Sequence, residues 1–317
     1  MRAMVTPTFG SPDLFELREL DTPRPAPGEV LVRVIAAGTN PVEAKIRGGV
    51  YGSGVEPPVV LGYDVSGVVE QTGMGVTELE VGDEVFYTPE IDLNRHGGYA
   101  EYNTVPAAIV ARKPTNLNHI EAAAVPLAGG TAWEAIVRRL RVQVGETVLI
   151  HGGAGGVGSF AVQLARACGA RVLATAGGDN QDTLRSLGAD VAIDYRKENP
   201  FGRALEETGG EGVDAVFDTV GGDTVQKSLR VTRPFGRLAG ILGARGDLTT
   251  AYRRNQTYCG VMLTRERQRL VSLKAVIEQG KIRPLVDRSL PLDGVAEAHR
   301  RLDTGHGRGK IVLNVAG

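Results

Sequence analysis

The sequence predicts an α/β protein with two parts, a β-rich part of mainly antiparallel strands and a part built on a doubly wound parallel sheet. First, residues 1–110 contain β-branched runs bounded by Gly and Pro, with no long helical pattern between them. Second, short apolar strands alternate with helical segments from residue 118 onward. Third, a chain of 317 residues is long enough for two domains.

Four runs predict the β-rich part. Each combines Val, Ile, Tyr or Phe with Gly or Pro at its boundary, which is typical of short strands joined by turns. The four runs are residues 28–38, 59–73, 82–87 and 97–106. Because no crossover helix separates them, we expect these strands to pair mainly antiparallel.

The parallel sheet is predicted from short apolar runs with helical segments between them. The predicted strands are residues 146–152, 171–177, 191–195, 214–222 and 236–243, and the helical segments include 159–169, 180–189 and 224–232. This alternation is typical of a parallel sheet covered by helices on both faces.

The last fifty or so residues predict a return to the β-rich part. They contain an amphipathic helix, a strand, a second helix and a terminal strand, at residues 265–280, 283–292, 294–303 and 309–315. The predicted domain boundaries are therefore 1–122, 123–262 and 263–317, and the last segment returns to the first domain.

Charge and composition indicate neither a nucleic-acid nor a membrane partner. Lys and Arg number 36 against 37 Asp and Glu, and no apolar run approaches the roughly 20 residues that span a bilayer. The N-terminal residues lack the apolar core of a signal peptide. Two cysteines are too few for a disulfide framework, so we expect a cytoplasmic protein.

The stretch "HGGAGGVGSF", residues 151–160, predicts a phosphate-binding loop. It follows a predicted strand, precedes a predicted helix, and places Gly153, Gly155 and Gly158 at the G-x-G-x-x-G spacing. The N-terminus of the following helix attracts a diphosphate, and side chains in the loop would block its approach. The candidate residues are Gly153, Ala154, Gly155, Gly156, Val157 and Gly158. The alternative is a glycine-rich turn that binds no ligand.

The end of the next strand bears on the choice of coenzyme. An NAD site usually carries an acid there, whereas this chain has Ala176 and Gly177. The missing acid favours NADPH, although Asp179 follows closely and NADH stays possible. Tyr195 and Arg196, after the third strand, either reach the adenosine side or belong to a solvated loop. We also expect the cofactor to contact Val220 and Gly240, which lie in the fourth and fifth predicted strand segments.

Seven motifs in this order resemble one branch of the medium-chain dehydrogenase/reductase superfamily, and the resemblance covers essentially the whole chain. The motifs are "AAGTNPVEAKIRGG", "LGYDVSG", "PLAGGTAWEAI", "GGAGGVGSFAVQLARACGA", "SLGADVAIDYRKEN", "VFDTVGG" and "GHGRGKIVL". The branch is that of the zinc-free, zeta-crystallin-like quinone oxidoreductases and the alkenal/enone reductases. The resemblance implies a GroES-like β-rich catalytic domain, a Rossmann nucleotide-binding domain and a homodimer.

The same resemblance implies that the chain holds no metal. The positions that correspond to the metal ligands and hydroxyl relay of zinc-dependent relatives are Asn40, Val42, Lys45, Tyr63, Asp64 and Leu127. A catalytic zinc needs about three Cys, His or carboxylate ligands, and only Asp64 is of that type. Without a Lewis acid or a relay hydroxyl, reduction of a quinone or a polarised C=C is expected rather than alcohol oxidation.

Such a reduction needs a donor for the oxygen that gains negative charge. Lys45 and Asn40 are the best candidates for holding that oxygen or the nicotinamide ribose, and Tyr51 is a second possible donor. The alternatives are a solvated loop lysine and, for Asn40 before a proline, a turn residue. The resemblance implies that Thr131 contacts the nicotinamide ribose, and its alternative is a helix N-cap.

The sequence therefore predicts an NADPH-dependent reductase of a quinone or an α,β-unsaturated carbonyl. NADP-binding relatives often carry Ser and Lys at the positions of Gly177 and Asn180, and both groups are missing here. The alternative from another class is a non-catalytic nucleotide-binding protein, with a redox-sensing or structural role.

Overall fold

The computed structural model describes residues 1–52 and 54–316, and they form two compact units. Unit 1 contains residues 1–127, 264–278 and 284–316, and unit 2 contains residues 128–263 and 279–283. The domain boundaries expected from the sequence, at residues 122 and 262, stay predictions. Among the described residues, no helix is both long and apolar enough to cross a bilayer.

Unit 1 is built on two sheets. The larger sheet has the order β15-β16-β3-β5-β6-β8, with β7 also paired to β3, and the smaller has the order β2-β1-β4. The strands are β1 (Arg2–Thr6), β2 (Glu16–Glu19), β3 (Glu29–Gly38), β4 (Val59–Val60), β5 (Asp64–Thr72), β6 (Glu84–Tyr87), β7 (Tyr102–Pro106), β8 (Ala111–Arg112), β15 (Val286–Pro291) and β16 (Lys310–Asn314). All pairs are antiparallel except β15 with β16. The predicted β-rich, mainly antiparallel part is confirmed.

The helices of unit 1 are short at its N-terminal end and longer in its C-terminal segment. They are α1 (Pro41–Arg47), α2 (His119–Ala123), α9 (Arg267–Glu278) and α10 (Val295–Asp303). Helix α1 starts with a proline, whose missing N–H costs nothing at a first helical position. Helix α2 begins after Asn118, whose side chain accepts the backbone N–H of Glu121 at 2.8 Å.

Unit 2 contains a six-stranded, all-parallel sheet of order β11-β10-β9-β12-β13-β14. The strands are β9 (Thr147–His151), β10 (Arg171–Ala176), β11 (Val191–Asp194), β12 (Val213–Asp218), β13 (Thr232–Gly240) and β14 (Thr257–Gly260). The helices are α3 (Pro126–Trp133, which begins in unit 1), α4 (Gly156–Ala167), α5 (Gln181–Ser186), α6 (Pro200–Glu207), α7 (Thr224–Val231) and α8 (Thr249–Arg253), and a π-helix (Glu134–Arg139) follows α3. In order along the chain, the strands lie 3-2-1-4-5-6, so the predicted doubly wound sheet is confirmed.

Apolar side chains from five neighbouring strands form the core of unit 2. Leu149, Leu173, Ile193, Val216 and Leu238 belong to one fully buried cluster, with one residue from each of β9 to β13. A parallel sheet covered on both faces buries both sides of its strands, which is why these runs are continuously apolar.

Several elements carry no clear sequence signal. Strand β2 has four exposed residues, "ELRE", so it lacks the apolar alternation that marks a half-buried strand. The sequence did not predict β1, β14, α1 or α6 either. Strand β13 ends at Gly240, three residues before the end of the predicted run at residue 243.

Candidate cofactor-binding and active site

The glycine loop connects β9 to α4 and is shaped by close backbone contacts. Gly152 has φ +71°, which favours glycine, and Gly155 precedes the first residue of α4. A Cβ on Gly158 would lie 2.1 Å from the carbonyl oxygen of Gly152, so only glycine lets the helix pack this closely on the loop. A Cβ on Gly155 would meet only that same carbonyl oxygen, at 3.3 Å. The backbone there is thus open to a ligand at the helix N-terminus.

The structure brings the predicted cofactor-binding residues of unit 2 to one edge of the sheet. The carboxyl end of β9 leads into the glycine loop, which contains Gly153, Ala154, Gly155, Gly156, Val157 and Gly158. Ala176 and Gly177 lie at the end of β10, Tyr195 follows β11, Val220 follows β12, and Gly240 is the last residue of β13. Ligands of open α/β sheets bind at this edge. The side chains of Tyr195 and Val220 are exposed there. Thr131 lies inside α3, so it is not the N-cap of that helix.

Arg196 lies against the end of β10. A Cβ on Gly177 would be 3.2 Å from both Cζ and Nε of Arg196, so the guanidinium packs on the glycine backbone. The carboxylate of Asp194, at the end of β11, accepts the backbone N–H of Arg196 at 3.1 Å. A Cβ on the next residue, Gly178, would lie 2.9 Å from Oδ2 of Asp194, so both a cation and a carboxylate lie beside the end of β10.

In unit 1, Asn40 lies in a buried polar network with an ion pair at its centre. The Lys310 ammonium lies 2.8 Å from Oδ2 of Asp64, and it also donates to the carbonyl of Thr39 and to Oδ1 of Asn40. The Asn40 amide nitrogen donates to Asp64 at 3.0 Å and to Glu43 at 3.2 Å. Both polar atoms of the Asn40 side chain are thus used inside the protein.

Glu43 links α1 to the rest of unit 1. Its carboxylate accepts hydrogen bonds from the backbone N–H groups of Asn40 and Tyr63, from the Asn40 amide and, at 2.9 Å, from the Tyr99 hydroxyl. Burial raises the pKa of Glu43 to about 7, against the opposing effect of the Lys310 charge. These contacts hold the first turn of α1 in place.

Lys45 and Tyr51, the other predicted catalytic residues, lie outside this network. Lys45 is exposed on α1 and forms no hydrogen bond or ion pair through its ammonium with any described residue. Tyr51 is half-buried, four residues after the end of the same helix. Helix α1 therefore presents a free cation close in sequence to a phenol.

The groups around Asp64 do not fit a zinc ion. The positions of Asn40, Asp64 and Leu127 do converge, because the Leu127 N–H donates to Oδ1 of Asp64 at 2.6 Å. Both carboxylate oxygens already accept hydrogen bonds, and the Lys310 ammonium supplies the positive charge. Zinc needs thiolate, imidazole or free carboxylate ligands, which this set does not provide. Within residues 1–52 and 54–316, no group of three His, Cys, Asp or Glu side chains is arranged to hold a metal ion.

Tyr63 is a further buried polar residue of unit 1. Its hydroxyl has no hydrogen-bond partner in the part of the chain that the structure describes. Burial, followed by the charge of Glu43, raises the pKa of this phenol, so the hydroxyl is protonated at neutral pH.

Two residues of the network were missed in the sequence. Glu43 stands three residues after Asn40, which is the spacing of a capping box, and that signal could have found it. Lys310 is separated from Asp64 by 246 residues, and no local pattern predicts that contact.

The parallel sheet with its glycine-rich helix N-terminus defines a dinucleotide-binding protein that carries an additional β-rich unit. A family model described as "Alcohol dehydrogenase GroES-like domain" matches residues 26–115, and one described as "Zinc-binding dehydrogenase" matches residues 187–313. The chain is 36% identical to an NADPH-dependent alkenal/one oxidoreductase of Arabidopsis thaliana, over 99% of this chain and 79% of that protein. It is 34% identical to a quinone oxidoreductase of Homo sapiens, over 99% and 97%.

Solved structures agree with these matches. A crystal structure described as an NAD-dependent alcohol dehydrogenase has a TM-score of 0.94 and 36% identity, over 99% of this chain and all of that one. A mycobacterial protein in complex with NADPH has a TM-score of 0.89 and 32% identity, over the same shares. The chain therefore belongs to the medium-chain dehydrogenase/reductase superfamily, as an oxidoreductase related to its quinone and alkenal/one reductases. The family and the GroES-like plus Rossmann-like fold predicted from the sequence are confirmed.

Proposed function

We propose that the protein is an NADPH-dependent reductase that transfers hydride to a quinone or to the C=C bond of an α,β-unsaturated carbonyl, without zinc. The observation that carries this proposal is the set of groups on Asp64, where an ammonium and an amide take the place of metal ligands. Alcohol oxidation uses a Lewis acid on the alcohol oxygen, whereas hydride addition to a carbon that is already electrophilic does not need one. Relatives named alkenal/one and quinone oxidoreductases support the same substrate class.

The reaction consumes one hydride and one proton. Bound NADPH would supply the hydride. In an enone the hydride adds to the β-carbon, the C=C electron pair moves onto the carbonyl oxygen, and a proton taken from solvent at the α-carbon completes the saturated carbonyl. In a quinone, the hydride and a proton from solvent convert the two carbonyl groups into the two hydroxyl groups of the quinol. In this proposal the Lys45 ammonium, which has no protein partner among the described residues, stabilises the oxygen as its charge develops. Tyr51 is a second donor to that oxygen.

Asn40 takes a different part in the proposal. Because its side-chain amide is occupied by Glu43, Asp64 and Lys310, Asn40 acts as a positioning residue that holds the start of α1. The direct contact with substrate or ribose that we expected from the sequence stays a prediction.

The proposed coenzyme site lies in unit 2. The diphosphate would bind at the N-terminus of α4, over the open backbone of Gly155. The residues that would hold the rest of the coenzyme are those at the carboxyl ends of β10 to β13, together with Thr131 in α3. The homodimer and the cytoplasmic location also stay predictions.

The experiment measures oxidation of NADPH and NADH with 1,4-naphthoquinone, methyl vinyl ketone and 2-alkenals as acceptors. We expect turnover with at least one acceptor, a higher kcat/KM with NADPH, and no loss after dialysis against EDTA. A protein that binds NADPH but reduces none of these acceptors would instead support the non-catalytic alternative.

A second candidate is alcohol oxidation, which is favoured by the likeness to the solved NAD-dependent alcohol dehydrogenase. Reduction of NAD⁺ with primary and secondary alcohols tests it in the same assay. Turnover there that is lost on chelation would overturn the zinc-free proposal.

A further inference from the structure

The strand β10 is followed by Gly177, which has no side chain, and the guanidinium of Arg196 packs against it. Gly177 has no side chain, and the place that its Cβ would take lies 3.2 Å from the Cζ and Nε atoms of Arg196. Any larger residue at position 177 would press on this guanidinium. Gly177 and Arg196, which belong to two different strand ends, therefore form one surface of unit 2.

Arg196 is held by its backbone and by a neighbouring ring, while its charge stays free. Its N–H donates to the buried carboxylate of Asp194 at 3.1 Å, and the Asp194 carbonyl accepts the next N–H, that of Lys197, at 2.9 Å. The guanidinium carbon lies 5.9 Å from the centroid of the Tyr195 ring, within the range of a cation–π contact. The Arg196 side chain is exposed and forms no ion pair with any residue that the structure describes.

This position corresponds to a particular part of a bound dinucleotide. In doubly wound folds, the end of the strand after the phosphate loop meets the adenosine ribose, where an acid binds a 2′-hydroxyl and an arginine accepts a 2′-phosphate. A guanidinium offers two parallel N–H donors to phosphate oxygens, and such charge-assisted bonds are stronger than neutral ones. The nearby Lys197 ammonium instead faces Asp194, at 3.9 Å.

We propose that Arg196, packed on Gly177, is the residue that binds the 2′-phosphate and sets the preference of this protein for NADPH over NADH. It would do so without the Ser and Lys that NADP-binding relatives often carry at positions 177 and 180. The inference rests on the proposed function in taking this edge of the sheet as the coenzyme site and NADPH as the preferred coenzyme.

The experiment is equilibrium binding by calorimetry, with the full chain and with NADPH, NADH, 2′,5′-ADP and 5′-AMP as probes. For Arg196→Ala we expect Kd for NADPH and 2′,5′-ADP to rise about 10- to 100-fold, and Kd for NADH and 5′-AMP to stay within about twofold. Arg196→Lys, which keeps the charge but loses the planar fork, falls between the two. The matched control is Lys197→Ala, which removes one positive charge at the neighbouring position and changes the Kd for NADPH less than about threefold.

Three results would overturn the assignment. The first is equal weakening of NADPH and NADH by Arg196→Ala, and the second is an effect of Lys197→Ala as large as that of Arg196→Ala. The third is a wild-type protein that binds 2′,5′-ADP no more tightly than 5′-AMP. The third result would also remove the NADPH preference from the proposed function, but none of the three tests the hydride transfer itself, because NADH can also donate a hydride. Failure of turnover with every acceptor leaves these binding results intact.

Discussion

His299 is a buried base that the surrounding side chains hold in the neutral form. Arg47 donates from Nε to Nδ1 of His299 at 3.2 Å, so the proton of the ring belongs on Nε2, which lies 3.3 Å from the Tyr99 hydroxyl. Burial, followed by the charge of Arg47, lowers the pKa of His299 to about 3 from an ordinary value of 6.5. The Tyr99 hydroxyl in turn donates a hydrogen bond to the Glu43 carboxylate. The His299 imidazole therefore supports the hydrogen bonds that Glu43 makes at the start of α1.

The lowered pKa makes His299 a source of acid sensitivity. Below pH 6.5 the unfolded chain binds a proton at this side chain and the folded chain does not. The contribution of neutral His299 to the free energy of unfolding is therefore complete above pH 6.5 and is lost as the pH falls toward 3. This site contributes about 1.4 kcal/mol of loss per pH unit in that window. Urea unfolding between pH 7 and 5 should show a shallower decline for His299→Gln than for wild type, and His306→Gln, at an exposed position, should match wild type. Parallel profiles for wild type and His299→Gln would contradict this account.

Among the elements, α4 is placed by the backbone of the loop that precedes it. Gly158 lies in the first turn of α4, and its missing side chain lets the helix approach the carbonyl of Gly152. The side chains of Phe160, Ala161 and Leu164 then bury the inner face of α4 in unit 2. The position of the helix N-terminus, and of the partial positive charge that attracts a diphosphate, thus depends on a single glycine.

Gly158→Ala is expected to push the N-terminus of α4 away from the loop. The new Cβ would lie 2.1 Å from the Gly152 oxygen, an overpacking that costs about 1–3 kcal/mol of stability and weakens NADPH binding at least about tenfold. Thermal unfolding and calorimetric titration with NADPH check both effects. Gly202→Ala in α6 is the matched control. Its new Cβ would meet no atom closer than 3.9 Å, and alanine has a higher helix propensity than glycine. A normal affinity for NADPH in Gly158→Ala would contradict the packing argument.

At the scale of the whole molecule, the two ends of the sequence meet inside unit 1. Strand β16 inserts between β15 and β3, and its first residue, Lys310, pairs with Asp64 of β5. Lys310 and Asp64 have side-chain exposures of 3% and 0%, so water solvates neither charge and each is compensated by the other. The last strand therefore completes both the sheet and the neutralisation of a buried carboxylate.

Breaking this ion pair from one side is expected to be severe. Lys310→Met leaves Asp64 buried without its counter-charge, and we expect a loss of about 3–5 kcal/mol in the free energy of unfolding. Asp64→Asn combined with Lys310→Met should recover part of that loss, because it removes the unpaired charge. Urea unfolding of the two single variants and the double variant measures the coupling, and strictly additive losses would show that the pair does not interact.

Sequence patterns predicted the elements whose burial is regular. The strands β9, β10 and β12 have continuous apolar runs because both faces of the sheet are covered, and such runs are visible without any tertiary knowledge. Strand β2, which is exposed on every residue, and β14, which ends the sheet, have no such pattern. Their pairing partners, β1 for β2 and β13 for β14, define them, and a strand with exposed residues or at the edge of a sheet needs no regular apolar pattern of its own.

By itself, the sequence determined the fold class, the glycine loop and the family, because each rests on short-range spacing or on the order of motifs. The tertiary structure decided that Asn40 is enclosed by Glu43, Asp64 and Lys310 while Lys45 stays exposed, and that Arg196 lies on Gly177. Those contacts join residues that are up to 270 positions apart in the chain. The physical reason is that burial and ion pairing depend on which elements pack together, and local spacing carries no record of it.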